Sequence, residues 1–338
     1  MKKILITGGA GFIGCNAAVA FAKKGWKVFV LDNLSRDKSA DNLAWLKQSI
    51  SVQFIKKDIR SAPTLNALFK KHQFDAVLHA AGQVAVTDSV KDPRHDFDVN
   101  ALGTFNILEA IRLHSPKTFL IYTSTNKVYG SLEHIHLKRM GKKYWPRVPA
   151  LRKGVKENQP LDFHSPYGCS KGAAESYVLD YARIYDLKTV VFRQSCIYGT
   201  RQFGMEDQGW VAWFLIAALQ KRTINIYGDG YQVRDVLFID DLVALYQKAF
   251  QNKHICSGQA YNVGGGPKNT TSLMELIDVL ESKLQQKIPL KFFKPRPGDQ
   301  KYYVSCLEKA KKDFQWTPKV SLLQGVERMI HGFAYMRK

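Results

Sequence analysis

The 338-residue sequence predicts an α/β fold, a doubly wound parallel sheet with a smaller, interleaved α/β domain. Short runs rich in valine and isoleucine alternate with helix-like stretches, the order that parallel strands with crossover helices produce. The strand-like runs are almost continuously apolar, as in sheets covered on both faces. A glycine-rich turn follows the first of these runs and precedes the first helix-like stretch.

The predicted elements can be placed in order along the chain. Strands are predicted at 4–7, 28–31, 52–55, 76–79, 119–123 and 189–192. Helices are predicted at 12–24, 64–72, 101–114 and 169–185. Beyond about Gly199 the alternation is irregular and clusters of glycine and proline interrupt it, which indicates a second, smaller domain.

Composition and charge narrow the class of protein. Hydrophobic residues make up 45% and charged residues 23%, which excludes a mostly disordered chain. The five cysteines form no C-x-x-C pair, so we expect a reduced, cytoplasmic protein without a zinc site. The longest apolar run, 210–219, is about half of the ~20 residues that span a bilayer, so no stable membrane insertion is expected. The net charge of +21 favours anionic partners in general.

The glycine-rich turn carries Gly8, Gly11 and Gly14, and the predicted helix begins with Phe12 and Ile13. Glycines at this spacing allow a tight turn, close approach to a pyrophosphate and close packing of the helix on the strand. The free N–H groups and dipole of the helix N-terminus attract the phosphates. The turn therefore predicts a dinucleotide site of Rossmann type, against the plainer alternative of a glycine turn without a ligand.

The choice of dinucleotide depends on Asp32, which ends the second strand 18 residues after Gly14. A carboxylate there can accept hydrogen bonds from an adenosine ribose and would repel a 2′-phosphate. We therefore expect NAD as the cofactor, while Arg36 close by leaves NADP as the alternative.

Further cofactor contacts are expected after the third and fourth strands. Asp58 and Ile59 would meet the adenine ring, and Ala80 and Ala81 would let the cofactor approach the sheet edge. Ordinary loop packing explains either pair equally well. The other residues expected at the cofactor are Asn33, Gln83, Asn100 and Ser124.

A candidate catalytic pair, Tyr167 and Lys171, lies one turn apart on one face of a predicted helix. A phenol with a pKa of about 10 is a poor base at neutral pH. An ammonium beside it favours the phenolate and can also bind the nicotinamide ribose. The pair becomes informative together with the hydroxyl of Thr125, which lies at the end of an upstream strand.

Through the segments 122–130 and 161–172, the sequence resembles the extended short-chain dehydrogenase/reductases, which include nucleotide-sugar epimerases and dehydratases. The resemblance covers essentially the whole chain. It implies that Tyr167 is the general base, that Lys171 is its partner, and that Thr125 hydrogen-bonds the sugar alcohol being oxidised. We expect 1–195 and 232–264 to form the NAD-binding domain, and 196–231 and 265–338 to bind a nucleotide sugar.

Two residues after Thr125 separate this sequence from the dehydratases of the family. Those enzymes carry Asp-Glu there, because elimination of water needs an acid and a base, whereas this chain has Asn126 and Lys127. Asn126 cannot exchange a proton at neutral pH, and Lys127 is normally fully protonated. Oxidation and re-reduction of one carbinol therefore remains, which is epimerase chemistry.

The segments 82–85, 198–203 and 207–211 resemble the branch of the family that epimerises CDP-hexoses at C2. This implies an isomerase of polysaccharide biosynthesis that converts a CDP-paratose type of substrate into the CDP-tyvelose type. A C4 epimerase or another nucleotide-sugar specificity is the alternative. A non-enzymatic NAD-sensing module is a more distant one, which the presence of Tyr167, Lys171 and Thr125 disfavours.

The substrate would be held by arginines, because a guanidinium donates two hydrogen bonds at once to a phosphate. Arg234 and Arg296 stand where the family holds the diphosphate and nucleotide ribose. The other expected substrate residues are Gln83, Thr125, Asn126, Arg201, Gln208 and Asp299. We expect a homo-oligomer, a dimer or tetramer, with no nucleic-acid partner and no bound metal.

One segment, 134–156, is strongly basic and lies between Thr125 and Tyr167. Its eight lysines and arginines come without a single acidic residue. Two interpretations stay open: a solvated basic loop, or a lid whose cations draw in the diphosphate of the substrate.

Overall fold

The computed structural model describes residues 1–296 and 299–336. The strands are β1 Lys3–Thr7, β2 Lys27–Asp32, β3 Gln53–Lys56, β4 Ala76–His79, β5 Phe119–Thr125, β6 Leu137–Met140, β7 Lys143–Pro146, β8 Lys188–Gln194, β9 Cys196–Tyr198, β10 Ile224–Tyr227, β11 Val233–Phe238, β12 Gln259–Val263, β13 Thr270–Ser272, β14 Leu290–Phe293 and β15 Tyr302–Tyr303. The helices are α1 Phe12–Lys23, α2 Ser39–Ser49, α3 Ala62–Lys71, α4 Val86–Lys91, α5 Pro93–Phe97, α6 Gly103–His114, α7 Ser165–Tyr185, α8 Trp210–Leu219, α9 Ile239–Gln251, α10 Lys253–Cys256, α11 Leu273–Leu284, α12 Glu308–Phe314 and α13 Leu322–Met336. A π-helical turn, Asp98–Leu102, connects α5 to α6.

The predicted doubly wound sheet is confirmed. Its strand order is β12-β8-β5-β4-β1-β2-β3, and β1 pairs in parallel with both β2 and β4. The chain therefore leaves β1 in one direction along the sheet and later returns to its other side. Ligands of such sheets bind outside the carboxyl ends of the strands at this switch point. Cofactor residues predicted from the sequence lie at the ends of β1, β2, β4 and β5.

The chain divides into two compact units. Unit 1 comprises Met1–Thr125, Ser165–Arg193 and Val243–Tyr261. Unit 2 comprises Asn126–His164, Gln194–Leu242 and Asn262–Lys338. The core of unit 1 lies between the sheet and its helices, with fully buried Leu5, Val77 and Leu120. In unit 2, β11 pairs with β9 and β15 in parallel and with β13 in the antiparallel sense.

These boundaries differ from the expected domains for the segments 126–164 and 232–242, which the sequence had assigned to the NAD-binding domain. In the structure both segments belong to unit 2. Val128 and Tyr129 share a buried cluster with Tyr303, and Val155 forms a parallel bridge with Ser305. Because these contacts join residues more than 140 positions apart, no local sequence pattern indicates them.

The basic segment contains the antiparallel β6–β7 hairpin, with Lys138 opposite Trp145. Several of its cations form ion pairs inside unit 2. Lys142 lies 2.7 Å from Asp278 and Lys143 lies 3.1 Å from Glu275, and both carboxylates belong to α11. The hairpin is thus attached to α11 by charge as well as by its backbone.

No helix among the described residues is long and apolar enough to cross a membrane. The apolar run noticed in the sequence forms α8, whose side chains Ala212, Phe214 and Leu215 are buried in unit 2.

Candidate active site

The turn between β1 and α1 leaves no room for side chains at two of its glycines. Gly8 has φ +65, and a Cβ there would lie 2.7 Å from the Cα atom of Ala81. A Cβ on Gly14 would lie 2.2 Å from the carbonyl oxygen of Gly8. Gly11 precedes α1 and caps it without a side-chain hydrogen bond. The N-terminus of α1 therefore presents backbone N–H groups to a ligand, the arrangement that binds phosphate.

Asp32 lies at the end of β2, beside this turn. Its carboxylate is 9% exposed and accepts hydrogen bonds from the backbone N–H of Ala10 at 3.0 Å and of Leu34 at 2.8 Å. Burial raises the pKa of Asp32, and these hydrogen bonds and the charge of Arg36 oppose the effect. Burial lowers the pKa of Arg36, and the charges of Asp88 and Asp32 oppose this fall.

The residues after β3 form a fixed polar group. Asn33 donates to Asp58 at 2.8 Å, and Arg60 donates to the same carboxylate through Nε at 3.0 Å. The hydrogen bond from Arg60 holds the pKa of Asp58 at about 2. Ile59 is buried and packs where Gly103 has no side chain. Asp58 and Asn33 thus form one ordered edge of the predicted adenine site.

The loop after β4 is tied to the π-helical turn through Gln83 and Asn100. The backbone N–H of Gln83 donates to Asn100 Oδ1, and Asn100 Nδ2 donates to the carbonyl oxygen of Gln83, both at 3.0 Å. Among the described residues, Gln83 Oε1 is buried and has no hydrogen-bond partner. A buried acceptor without a partner is costly, so this oxygen is suited to a donor group on a ligand.

Tyr167, Lys171 and Thr125 come together in unit 1. Tyr167 is hydrogen-bonded to Thr125, and Lys171 Nζ donates to the carbonyl oxygen of Thr123 at 2.5 Å. The ammonium also lies 4.3 Å from the ring centroid of Tyr122. Tyr167 and Lys171 are 8% and 4% exposed, so both polar groups are almost completely removed from water.

Burial dominates the electrostatics of this pair. It raises the pKa of Tyr167 to about 12, although the hydrogen bond from Thr125 opposes the rise. It lowers the pKa of Lys171 to about 7, although the charges of Glu175 and Asp96 oppose the fall. Lys171 is therefore held where a modest change of local charge alters its protonation, whereas Tyr167 stays a neutral phenol at neutral pH.

Ser124 is held by a buried ion pair behind the site. Its hydroxyl donates to Glu175 Oε2 at 2.6 Å, and Glu175 Oε1 accepts from Arg193 at 2.6 Å. Arg193 and Glu175 are both almost fully buried. The pair fixes the end of β5, and with it the position of Thr125.

Apart from Gln83 and Thr125, which belong to unit 1, the polar residues predicted to hold the substrate lie in unit 2. Arg234 is buried and forms an ion pair with Asp299 at 2.7 Å. Lys127 lies 3.7 Å from the same carboxylate. Burial and the charge of Arg234 lower the pKa of Lys127. Asn126 donates to Gln300 at 3.0 Å.

The remaining predicted substrate residues occupy other parts of unit 2. Arg296 pairs with Asp207 at 2.8 Å, and its guanidinium stacks 3.9 Å from the ring centroid of Tyr227. Gln208 exchanges backbone hydrogen bonds with Met205. Arg201 has φ +66 and lies 6.0 Å from the ring centroid of Phe203. Arg234 and Asp299 are therefore paired directly, whereas Arg296 has a carboxylate of its own.

The family model described as GDP-mannose 4,6 dehydratase matches residues 5–329. The chain belongs to this family. It is an NAD-dependent nucleotide-sugar epimerase, an isomerase of the extended short-chain dehydrogenase/reductases.

Several relatives resemble the epimerase along its whole length. CDP-paratose 2-epimerase from Salmonella typhi is 44% identical over 332 residues, which cover 97% of this chain and 98% of the relative. UDP-glucose 4-epimerase from Mycolicibacterium smegmatis is 32% identical, with 98% of each chain covered.

Solved structures show the same fold. UDP-glucose 4-epimerase from Thermotoga maritima, with UDP-glucose, has a TM-score of 0.85 at 30% identity and covers 99% of this chain and 100% of that one. UDP-glucuronic acid 4-epimerase from Bacillus cereus, with UDP-glucuronic acid and NAD, has a TM-score of 0.84 at 29% identity and covers 99% of each chain.

The residues of the epimerase fit NAD. The tight turn at Gly8 and Gly14 leaves the N-terminus of α1 open to phosphate, Asp32 lies where a ribose diol would be bound, and Gln83 Oε1 awaits a donor. Among the described residues, no group of three or more histidine, cysteine, aspartate or glutamate side chains could hold a metal ion.

Sequence reasoning did not place Lys127 with the predicted substrate residues. The residue was considered only as an unsuitable acid for dehydration, yet the structure places it with Asp299 and Arg234. Its position directly after Asn126, where related dehydratases carry an acid, was the available signal. The partner lies 172 residues further along the chain, so the contact itself had no local signature.

Proposed function

We propose that this epimerase inverts C2 of a CDP-hexose, of the CDP-paratose to CDP-tyvelose type, through a transient 2-keto sugar. The similarity to CDP-paratose 2-epimerase, at 44% identity over 97% of the chain, supports cytosine as the nucleotide base and C2 as the carbon that inverts. The motifs around Thr125 and Tyr167 support oxidation and re-reduction.

The observation that carries the proposal is the environment of the two residues after Thr125. Asn126 is a neutral amide that is hydrogen-bonded to Gln300, and Lys127 is an amine beside Asp299. Neither side chain is a carboxyl group that could supply the acid and the base for loss of water. The chain therefore retains the oxidation machinery of the family without its elimination machinery.

Three side chains take part in proton transfer at the sugar hydroxyl. Tyr167 accepts the proton of the C2 hydroxyl, and Thr125 hydrogen-bonds the same oxygen and orients it. Lys171, buried one turn from Tyr167 on α7, would supply a positive charge that favours the phenolate. Bound NAD supplies the hydride acceptor and, at the end of the cycle, the hydride donor. The 2-keto sugar must present its other face before Tyr167 returns the proton.

In this proposal, residues of unit 2 bind the diphosphate, the ribose and the base of the substrate. Arg234 and Arg296 would bind the diphosphate, and Asp299 would bind ribose hydroxyls once Arg234 turns to phosphate. Gln208 and Trp210 would frame the base. The ion pairs of both arginines with carboxylates keep their guanidinium groups ordered before the ligand arrives.

A second candidate is a C4 epimerase acting on a UDP-sugar, favoured by relatives such as the Mycolicibacterium smegmatis enzyme at 32% identity. A screen of CDP-, UDP-, GDP- and dTDP-hexoses by NMR separates the candidates, because the spectrum shows which carbon inverts. We expect inversion at C2 with a CDP-sugar. Inversion at C4 with a UDP-sugar would replace the proposal by the second candidate, and the Tyr167→Phe variant is the blank for every substrate.

A further inference from the structure

A fully buried carboxylate, Asp96, lies beside the catalytic pair without a part in the reaction described above. It belongs to α5. Its Oδ2 accepts a hydrogen bond from Ser170 Oγ at 2.5 Å, and its Oδ1 accepts one from Asn100 Nδ2 at 3.1 Å. Ser170 immediately precedes Lys171 on α7. Asp96 is therefore one residue removed from a catalytic group.

Asp96 joins three segments of unit 1. Asn100 lies in the π-helical turn and exchanges hydrogen bonds with the backbone of Gln83, as described above. Asn100 Nδ2 also lies 3.2 Å from Ser170 Oγ. The loop after β4, the turn before α6 and the catalytic helix α7 thus meet at one hydrogen-bonded group. π-helical turns of this kind are frequent at functional sites.

A carboxylate suits this position because both of its oxygens accept hydrogen bonds, one from Ser170 and one from Asn100. An asparagine offers a single acceptor oxygen and would set its amide NH2 group against one of these two donors. Burial raises the pKa of Asp96, while Ser170 and the charge of Lys171 lower it. Among the described residues, no lysine or arginine forms an ion pair with Asp96, so its charge acts on its neighbours.

Other titratable groups surround the pair. The charge of Glu175, on α7, raises the pKa of Lys171 more than that of Asp96 does, although Glu175 also shares an ion pair with Arg193; Asp96 adds to this effect. Burial lowers the pKa of His79, on β4, to about 3 and raises that of Tyr122, on β5, so both are neutral. His95 neighbours Asp96 on α5 and adds to the groups that lower its pKa.

We propose that Asp96 is a positioning residue of the epimerase, whose carboxylate fixes Ser170 and Asn100 and holds Lys171 in its ammonium form one turn from Tyr167. The proposal rests on the proposed function in so far as Tyr167 and Lys171 perform the oxidation. It does not depend on which base or carbon the substrate carries.

The first test compares Asp96→Asn, which removes the charge and one acceptor oxygen, with Ser170→Ala, which removes the hydrogen bond from Ser170 and keeps the charge. We expect Asp96→Asn to lower kcat about 10- to 100-fold with KM nearly unchanged, since small misplacements cost this much. Its pH–rate profile should move to lower pH, because loss of a negative charge lowers the pKa of every nearby group. Ser170→Ala should lower kcat without moving the profile.

Two further variants complete the design. Asp98→Asn is the matched control, because Asp98 lies two residues away and pairs with the exposed Arg94 at 2.9 Å; it should behave as the wild type. Asp96→Ser is a second neutral variant, for use should Asp96→Asn fail to fold. An unmoved profile in the folded neutral variant, or an equal displacement in Ser170→Ala, would overturn the proposal.

A titration without sugar separates this proposal from the proposed function. The phenolate absorbance of NAD-loaded protein is followed against pH, and the curve of Tyr167→Phe is subtracted to isolate Tyr167. The Asp96→Asn variant should titrate at lower pH than the wild type. Equal titration of both proteins refutes the role of Asp96, whereas absence of CDP-sugar turnover in the wild type refutes the proposed function alone.

Discussion

Tyr167 and Lys171 show how burial opposes the charges that the reaction needs. Without other groups, burial favours the neutral phenol and the neutral amine. The sequence predicted that Lys171 would act on Tyr167 directly. In the structure the ammonium is directed to the carbonyl oxygen of Thr123, and the hydroxyl of Thr125 lowers the pKa of Tyr167 against burial. In the proposed mechanism, Thr125 therefore activates the base as well as orienting the sugar.

Replacement of Tyr167 by phenylalanine removes the base and leaves the ring that fills the site. We expect turnover to fall by several powers of ten, beyond the ~10²–10⁴ that general base catalysis alone contributes, because proton and hydride transfer are coupled. Bound NAD, measured after acid release, should stay at the wild-type level. Tyr177→Phe, on the same helix but 49% exposed, is the matched control. Near-normal turnover of Tyr167→Phe would remove Tyr167 from the mechanism.

The buried ammonium of Lys171 also makes a prediction about stability. Its pKa is about 7 in the folded protein against an ordinary value of 10.5, so the unfolded chain binds more protons between these pH values. The stability of the wild type should therefore gain from Lys171 as pH rises from about 7 toward 10.5. Lys171→Met lacks this gain.

Urea unfolding of the cofactor-free proteins checks this expectation. The stability of Lys171→Met relative to the wild type should be higher at neutral pH than at pH values near 10. A difference that stays constant over this range would mean that the folded state does not disfavour the ammonium.

At the scale of the element, the β1–α1 turn depends on the absence of side chains. On helix propensity alone, the Gly14→Ala substitution should stabilise α1 by up to about 1 kcal/mol. We expect the opposite sign, with lower stability and loss of co-purified NAD, because the new Cβ would meet the carbonyl oxygen of Gly8 at 2.2 Å. Gly11→Ala is the graded control, since its Cβ would lie 3.1 Å from the same oxygen. A stabilised Gly14→Ala variant would contradict the packing described.

The lid interpretation of the basic segment can be tested with two double variants, one in the β6–β7 hairpin and one in the turn that follows it. Lys142 and Lys143 are paired with α11, whereas Arg152 and Lys153 follow in the next turn of the segment. We expect the Arg152→Gln/Lys153→Gln variant to lower kcat/KM at low ionic strength with kcat unchanged. The Lys142→Gln/Lys143→Gln variant should lower kcat/KM less, because carboxylates already neutralise those cations.

Salt provides the control for this comparison. Attraction of the substrate over long distances shrinks as added salt shortens the Debye length, which is about 10 Å at 0.1 M. Rates that do not differ from the wild type at low ionic strength in either variant would leave the segment as a solvated basic loop.

The elements differ in how far the sequence predicted them. Six strands of the central sheet were predicted within one or two residues, because apolar runs bounded by turns are a strong local signal, whereas its edge strand β12 was missed. The catalytic helix begins at Ser165, four residues before the predicted start, since Pro166 is tolerated in a first turn. The β6–β7 hairpin was missed, because lysines and aromatic residues hide the alternation of its strands.

At the site, local sequence motifs predicted residues that lie within one unit. They predicted less well which distant segments of the chain come into contact. Thr125, Tyr167 and Lys171 follow from spacing and residue type. Arg234 and Lys127 both contact Asp299, which lies 65 and 172 residues further along the chain, respectively. A single sequence carries no signal for such contacts. Asp96 was missed for the same reason, since its partner Ser170 lies 74 residues away.

For the whole molecule, oxidation and re-reduction require a closed cycle in which the hydride removed from the sugar returns to the same sugar. No external reductant is consumed, so NAD should stay bound between turnovers and the net charge of +21 should serve binding of anions rather than chemistry. The rival route to inversion removes a proton from carbon and exchanges it with water.

The fate of the hydrogen at C2 distinguishes these routes most directly. CDP-paratose carrying deuterium at C2 is converted in ordinary water, and the product is examined by NMR and mass spectrometry; unlabelled substrate is converted in D₂O in parallel. The account predicts that the deuterium is retained at C2 and that no solvent deuterium enters there. Loss of the label to water, or incorporation of deuterium from D₂O at C2, would contradict oxidation and re-reduction at this carbon.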